Sequence, residues 1–522
     1  MSLDPPSPSS RWAWALSLVG LGLFAFALVA VSGPGRIDVV DGQTRFEVGR
    51  SLVEHGDSAL RDERIWWGSF PGRDGLNFTY YRYPQSVAAA GAIVVADQTG
   101  PVREGRRHFF FVWTSAAAAA LLSVFYAIYF RRIGCRTGFA ILWALGGIVC
   151  TPNWFYGTST FDDILGSLTV VAAAVIAMGT RGTRPILGAV ISGFLLGVAF
   201  NVKQPLGAFL FVILAMHDNT AWTRRQRLIS AVMICLGLLA GFVVQDAYDS
   251  MKFPFDKRAV HADLLKIYAP VYKSSPFPAL ACFLLSPGCG IAWYCPPALL
   301  GLTGVYVLWK RGERPLVAAV LLTTVVFIGF HCFVSFFKGD PSWGPRYLTP
   351  WFGFLWLFAP WAVTVMSRRL VGLLLGLGIL VQVLGLAVDP HRLFVARSLG
   401  SSVGVIDPWL YFEPEFSHLL QRPIEIVAIA RDSGNAEAYT PSPAPTFTFP
   451  VLDPPYLPES GREVVARYQL LRSFRPWWIS QRFLPERERP VDIGSTLAVL
   501  GMIGISGLLL IGMTVRFQSK TP

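Results

Sequence analysis

The sequence predicts an all-α, polytopic membrane protein, and three observations carry that expectation. Apolar runs of near twenty residues recur along the whole 522-residue chain, and about 20 such residues cross a bilayer core as one helix. Hydrophobic residues make up 53% of the chain and charged residues only 15%, where a soluble domain carries roughly a quarter charged. The mean hydropathy is +0.47. The runs are continuous rather than alternating, which argues against an outer-membrane barrel. This composition also excludes a soluble enzyme, a disordered chain and a disulfide-rich secreted module.

Taken in order, a Pro/Ser-rich tail and Arg11 precede a first run at 12–32, long for a signal-peptide core and read as an uncleaved helix. Residues 33–84 form a polar, charged and aromatic loop. Residues 85–97 are apolar but too short to span, which predicts an interfacial or re-entrant helix. Spans are expected near 109–130, 138–156, 163–179, 186–201, 205–216 and 228–246. Others follow near 291–309, 316–337, 347–366, 370–388 and 496–514, about 12 in all. Between them, 247–290 is charged and aromatic and closes on SPGCGIAWYCPP. Residues 389–495 are Pro-rich in part, with no periodicity that identifies a module. The chain therefore divides into a membrane module (1–388, with the loop 33–97), an extracytoplasmic region (389–495) and a last helix with its tail (496–522).

The net charge of +12 does not imply a nucleic-acid partner, because of where it lies. Both tails and the gaps at 131–136, 181–184, 217–227, 310–315 and 368–369 hold 16 bases against three acids. The rest of the chain holds 29 bases against 30 acids. Confinement of the excess to alternate loops is the positive-inside pattern, and it puts 33–84, 247–290 and 389–495 outside. The seven cysteines show no metal-ligand spacing. Cys282, Cys289 and Cys295 lie where pairing beside the outer face is open, although buried small apolar residues are the favoured reading.

Ionisable residues are almost absent from the spans and collect at their outer ends: Asp38, Asp41, Asp162, Asp163, Lys203 and Arg346. A coupled transporter would carry such groups along a midplane path, so surface chemistry fits better than passage through the membrane. In RIDVVDGQTRFEVGRSLVEHGD, apolar residues at helical spacing predict a helix lying on the membrane surface, with Asp41 at its N-terminus. Asp41 suits a helix cap as well as a reactive carboxylate. In DGLNFTYYRYPQS, Phe78, Tyr80, Tyr81 and Tyr83 surround Arg82, an arrangement that anchors a chain at the interface or holds a lipid phosphate.

These segments, in this order, resemble the GT-C superfamily of polytopic glycosyltransferases, which includes aminoarabinose transferases and protein O-mannosyltransferases. The stretch from Asp41 to Asp57 resembles its first acidic loop, and YYRYPQS resembles its aromatic-Lys-aromatic-Pro pattern with Arg82 in the lysine's place. TSTFDDILGSL is similar to its second acidic motif and FNVKQP to its basic turn. LLSPGCGIAWYCPP and SWGPRYLTP are similar to segments of bacterial members, so the likeness covers roughly 37–350. The chain departs where Gly42 replaces the acidic partner of the first Asp, a place that Asp38 is near enough to fill; at the second acidic site Asp162 is weakly favoured over Asp163.

The resemblance implies a GT-C-type helical bundle in a bacterial inner membrane, moving a sugar from a polyprenyl-phosphate donor to a glycan, lipid or protein hydroxyl on the extracytoplasmic face. A lipid-phosphate leaving group departs as a stable anion, so one carboxylate base suffices where a glycosidase needs two carboxylates. It assigns Asp41 as base, with Asp38 and Asp162 as the other catalytic carboxylates. Arg82, Lys203 and Arg346 hold the donor phosphate, and Tyr81, Tyr83 and Asp163 contact substrate. No cofactor is implied with certainty, no metal ligands are assigned, and a divalent cation stays open. Lys203 and Arg346 suit equally an interfacial snorkelling role. The alternatives are a lipid-linked oligosaccharide polymerase or ligase, and a transporter or flippase.

Overall fold

The computed structural model describes residues 8–519, apart from 63–67, 220, 255–275, 334–337, 340–341, 391–392, 394–407, 432–473 and 484–488. The Pro-rich stretch 440–460 and most of the expected outer segment at 389–495 therefore lie outside the described residues. Among the described residues helix dominates, and the strands are one short antiparallel hairpin, β1 (Ser69–Pro71) with β2 (Asn77–Thr79).

Among the described residues, eight helices are long and apolar enough to cross a membrane. They are α1 (Pro8–Ser32), α4 (Glu104–Arg132), α7 (Asp163–Thr180), α8 (Pro185–Val202), α10 (Arg224–Lys252), α14 (Arg314–Cys332), α16 (Arg368–Ala387) and α19 (Ile493–Ser519). This makes the chain an all-α, multi-pass protein. The remaining expected spans fall on shorter or broken pieces. Residues 138–156 divide into α5 (Thr137–Val149) and α6 (Asn153–Gly157), and 205–216 into a 3-10 turn and α9 (Leu210–His217). Residues 291–309 divide into α12 (Ile291–Tyr294) and α13 (Ala298–Lys310) around Pro296 and Pro297, which supply no backbone N–H. In 347–366, α15 (Thr349–Leu355) runs into a 3-10 stretch, Trp356–Thr364, that contains Pro360.

Small residues set the closest helix contacts. α8 and α10 approach so closely that a Cβ on Gly197 would stand 2.6 Å from the Gly237 carbonyl oxygen. Without a hydrophobic force between lipid-bathed helices, such backbone approach is what van der Waals packing rewards. α1 and α19 pack together at Gly20 and Gly507, and Ser17 Oγ and Thr514 Oγ1 share a hydrogen bond of 2.6 Å. At the centre, α7 packs on α4, α8 and α15, with Tyr126, Tyr156 and Phe155 buried.

The first loop folds as two helices, α2 (Val40–Glu54) and α3 (Tyr83–Gln98), packed on each other and on the start of α4. α2 differs from the expected surface-lying helix, because protein covers most of its polar residues too. Gln43, Thr44, Arg45, Phe46, Glu47 and Val48 are all buried. A pattern of mixed polar and apolar residues is the same for a helix on a membrane surface and for one between apolar and ionic protein layers.

The remaining α-helices among the described residues are α11 (Pro276–Leu285), α17 (His418–Arg431) and α18 (Trp477–Ser480). The chain around α18 returns to the first loop: the Trp477 N–H donates to the Gly33 carbonyl at 2.9 Å and the Arg475 N–H to that of Ala387 at 2.9 Å. The expected charge segregation is visible in the helix ends. Arg131, Arg132, Arg181, Arg184, Arg224, Lys310, Arg314 and Arg368 lie at span ends opposite to those bearing Asp163, Lys203 and Arg346.

Candidate active site

The end of the bundle opposite the arginine-rich loops gathers three carboxylates and three cations from four separate parts of the chain. α7 opens on Asp162 and Asp163, where a helix N-terminus favours negative charge. Neither caps it: Asp162 makes no side-chain cap bond and turns to Arg45 Nη2 at 2.8 Å and Lys203 Nζ at 3.0 Å. Asp163 pairs with Lys203 and accepts from Arg346 Nε at 3.1 Å. Lys203 is placed by the break after α8, at the start of the Gln204–Phe209 turn.

Asp41 stands across from this pair. It lies in the first turn of α2, whose N-cap is Val39, so Asp41 is not the capping residue. Its carboxylate accepts from the Tyr81 hydroxyl and lies 3.3 Å from Arg346 Nη2. Arg346 thereby bridges Asp41 and Asp163, with its guanidinium 3.6 Å from the Phe161 ring centroid and 4.9 Å from that of Tyr347. Arg45 lies 4.3 Å over the Tyr81 ring.

Exposure separates the three carboxylates. The side chains of Asp162 and Asp163 are 5% and 0% exposed, whereas Asp41 is 20% exposed. Burial by itself would raise the Asp162 carboxyl, but Arg45, Lys203 and Arg346 together hold it down at about 2. Burial, reinforced by Asp41, pushes the Tyr81 phenol well up, so at neutral pH it remains a hydrogen-bond donor to Asp41. Asp41 is thus the accessible carboxylate of an ionic cluster whose other members are locked in pairs.

Asp38 belongs to a neighbouring structural tie. It accepts from Thr160 N at 2.9 Å, Thr160 Oγ1 at 2.8 Å and Arg475 Nη2 at 3.1 Å. Gly42, where the acidic partner would stand, has no room for a side chain: a Cβ there would overlap Thr160 Oγ1 and Cβ. Arg82 and Tyr83 face another neighbourhood. Arg82 Nη1 donates to the Phe200 carbonyl at 2.9 Å and stacks on that ring, and Tyr83 meets Tyr248 edge-on at 5.8 Å. Burial, partly offset by Asp249, lowers Arg82 to about 10, which still leaves it charged at neutral pH.

Sequence reading assigned no role to Arg45, Tyr347 or Arg475. Arg45 had a usable signal: four residues after Asp41, it shares that helix face. Arg475 had none, since it meets Asp38 from 437 residues away. Among the described residues, no group of three His, Cys, Asp or Glu side chains is arranged to hold a metal ion; Lys203 and Arg346 bridge the carboxylates instead. No family model matches the chain, and no curated protein matches it.

Proposed function

We propose that this chain is a GT-C-type integral membrane glycosyltransferase with about 12 membrane passes, acting on the extracytoplasmic face of a bacterial inner membrane. Its donor is a polyprenyl-phosphate-linked sugar and its acceptor a hydroxyl on a glycan, lipid or protein. The observation that carries the reading is Asp41: a partly exposed carboxylate, not the capping residue of its helix, held between Tyr81 and Arg346 at the rim of an ionic cluster.

In this reading Asp41 takes the proton from the acceptor O–H as that oxygen attacks the anomeric carbon. The bond from that carbon to the phosphate oxygen breaks on the opposite face, so the configuration inverts and the lipid phosphate leaves as an anion. Arg346 and Lys203, presented by a water-poor cluster, stabilise the charge that develops on the phosphate. Asp162 and Asp163 hold those cations in place through their ion pairs. Arg82, bound to the Phe200 carbonyl in the neighbouring patch, is assigned in this reading to the lipid phosphate.

The test is sugar transfer from a labelled polyprenyl-phosphate donor by the purified Asp41→Asn protein. Loss of a general base lowers turnover by about 10²–10⁴, while the protein stays folded and binds donor, because the amide keeps the size and Arg346 keeps Asp163. Wild-type turnover by Asp41→Asn overturns the assignment of the base, and full turnover by the Asp38→Asn and Asp162→Asn proteins as well removes the mechanism.

A further inference from the structure

Three cysteines fall within the short stretch 282–295, and the fold divides them into two environments. Cys282, in the last turn of α11, and Cys289, in the turn after it, bring their sulfurs to 2.6 Å. Unbonded heavy atoms prefer roughly 3.5–4.0 Å, so these two sit inside contact distance. Both are 0% exposed. Cys295 lies elsewhere, beyond α12, beside Thr151, Pro297 and Trp356.

The backbone explains why a seven-residue separation across a helix end closes on itself. The Ser286 N–H continues the helix to the Cys282 carbonyl at 3.1 Å, and the Gly290 N–H returns to the Ser286 carbonyl at 2.7 Å. Ser286 Oγ accepts the Cys289 N–H at 3.1 Å and stands 3.1 Å from Cys282 Sγ, so it holds Cys289 over its partner.

The turn that these cysteines bracket carries a neighbouring part of the chain. The Gly288 N–H donates to the Tyr411 carbonyl at 2.9 Å, and Ser417 Oγ donates to the Pro287 carbonyl. Beyond Ser417, α17 presents the fully buried Arg422, 5.3 Å from the Trp343 ring centroid and paired with Glu425 at 3.0 Å. Trp343 lies three residues before Arg346, so the turn braces the wall behind the ionic cluster.

We propose that Cys282 and Cys289 form a disulfide that clamps the 286–290 turn. The inference rests on the reading that this end of the bundle faces an oxidising, extracytoplasmic space. In the exchange, the thiolate of one cysteine attacks an oxidised dithiol protein and forms a mixed disulfide. The second cysteine then attacks that bond: the intramolecular S–S bond forms, and two electrons and two protons leave with the reduced dithiol. Burial of both sulfurs places the exchange before the turn packs.

The experiment traps thiols in intact cells with acid, denatures the full-length protein, alkylates it, and maps peptides by mass with and without a prior reducing step. Cys282 and Cys289 are expected to resist alkylation until reduced and to appear as one linked peptide pair, two mass units lighter than the dithiol. Alkylation of both without reductant overturns the proposal. In Cys282→Ser, Cys289 is expected to alkylate without reductant, and the melting temperature to fall to that of reduced wild type. Continued protection of Cys289 in that variant also overturns it, because the sulfur would then have another partner. The readout is a mass, so it stands apart from failure of the transferase reading, which appears in the Asp41→Asn assay.

Discussion

The tie at Asp38 offers the sharpest separation of scaffold from chemistry. Replacing Asp38 by Ala removes three acceptor contacts at once, two to Thr160 and one to Arg475. Arg475 is 0% exposed on its side chain and keeps Thr158 Oγ1, at 2.8 Å, the face of the Phe155 ring and the more distant charge of Asp389. Stripping one partner from a buried ion pair leaves a charge without compensation and costs about 3–5 kcal/mol. Asp38→Asn retains an oxygen for Thr160 but not the charge, which reduces the expected loss to about 1.5–3 kcal/mol. The assay is reversible unfolding in mixed micelles with increasing anionic detergent, followed by helical circular dichroism. A cycle with Arg475→Met is expected to show coupling of about 0.5–3 kcal/mol between the two positions. Sugar transfer per folded Asp38→Asn molecule is expected to stay within a few-fold of wild type. Wild-type stability of Asp38→Ala would refute the buried-pair argument, and lost transfer with intact stability in Asp38→Asn would move the chemistry to Asp38.

Three further outcomes are expected. Gly42→Ala forces α2 away from Thr160, where its Cβ would overlap, and is expected to cost about 1–3 kcal/mol and to slow transfer by displacing Asp41; wild-type melting and turnover would show that the contact yields freely. Glu47, buried beside Arg50 and Gln43 with Glu104 and Asp62 nearby, is pushed up to about 7 by that burial. The folded state then holds a proton that the unfolded state releases, so this stability is complete below about 4.5 and declines as pH rises toward 7, by up to about 3 kcal/mol. Glu47→Gln is expected to flatten that part of the profile, and an unchanged slope would refute the assignment. Arg82→Ala is expected to weaken binding of a polyprenyl-phosphate sugar by about 1.5–3 kcal/mol, measured by titration in nanodiscs; unchanged affinity would make Arg82 an anchor on Phe200 only.

By itself the sequence determined the class of the fold and the end of the bundle at which charge collects. Both are local properties: hydropathy over one span is read from that span alone, and arginines confined to alternate gaps order the helix ends without reference to packing. Asp162, Asp163, Lys203 and Arg346 were legible because charged residues beside apolar runs are conspicuous. Tertiary structure alone decided their partners and the shape of several spans. The expected passes at 291–309 and 347–366 are interrupted, since hydropathy does not register Pro296, Pro297 and Pro360 as breaks in a backbone hydrogen-bond ladder. α2 carries a pattern suited to a membrane surface, yet Arg45 turns inward to Asp162 because α3 and α4 cover that helix. Asp38 and Asp41 are three residues apart and alike in sequence, but one is spent on Arg475 and Thr160 while the other is left partly open. That difference depends on side chains contributed from hundreds of residues away, and the energy of a charge depends on the partners and solvent that folding brings to it.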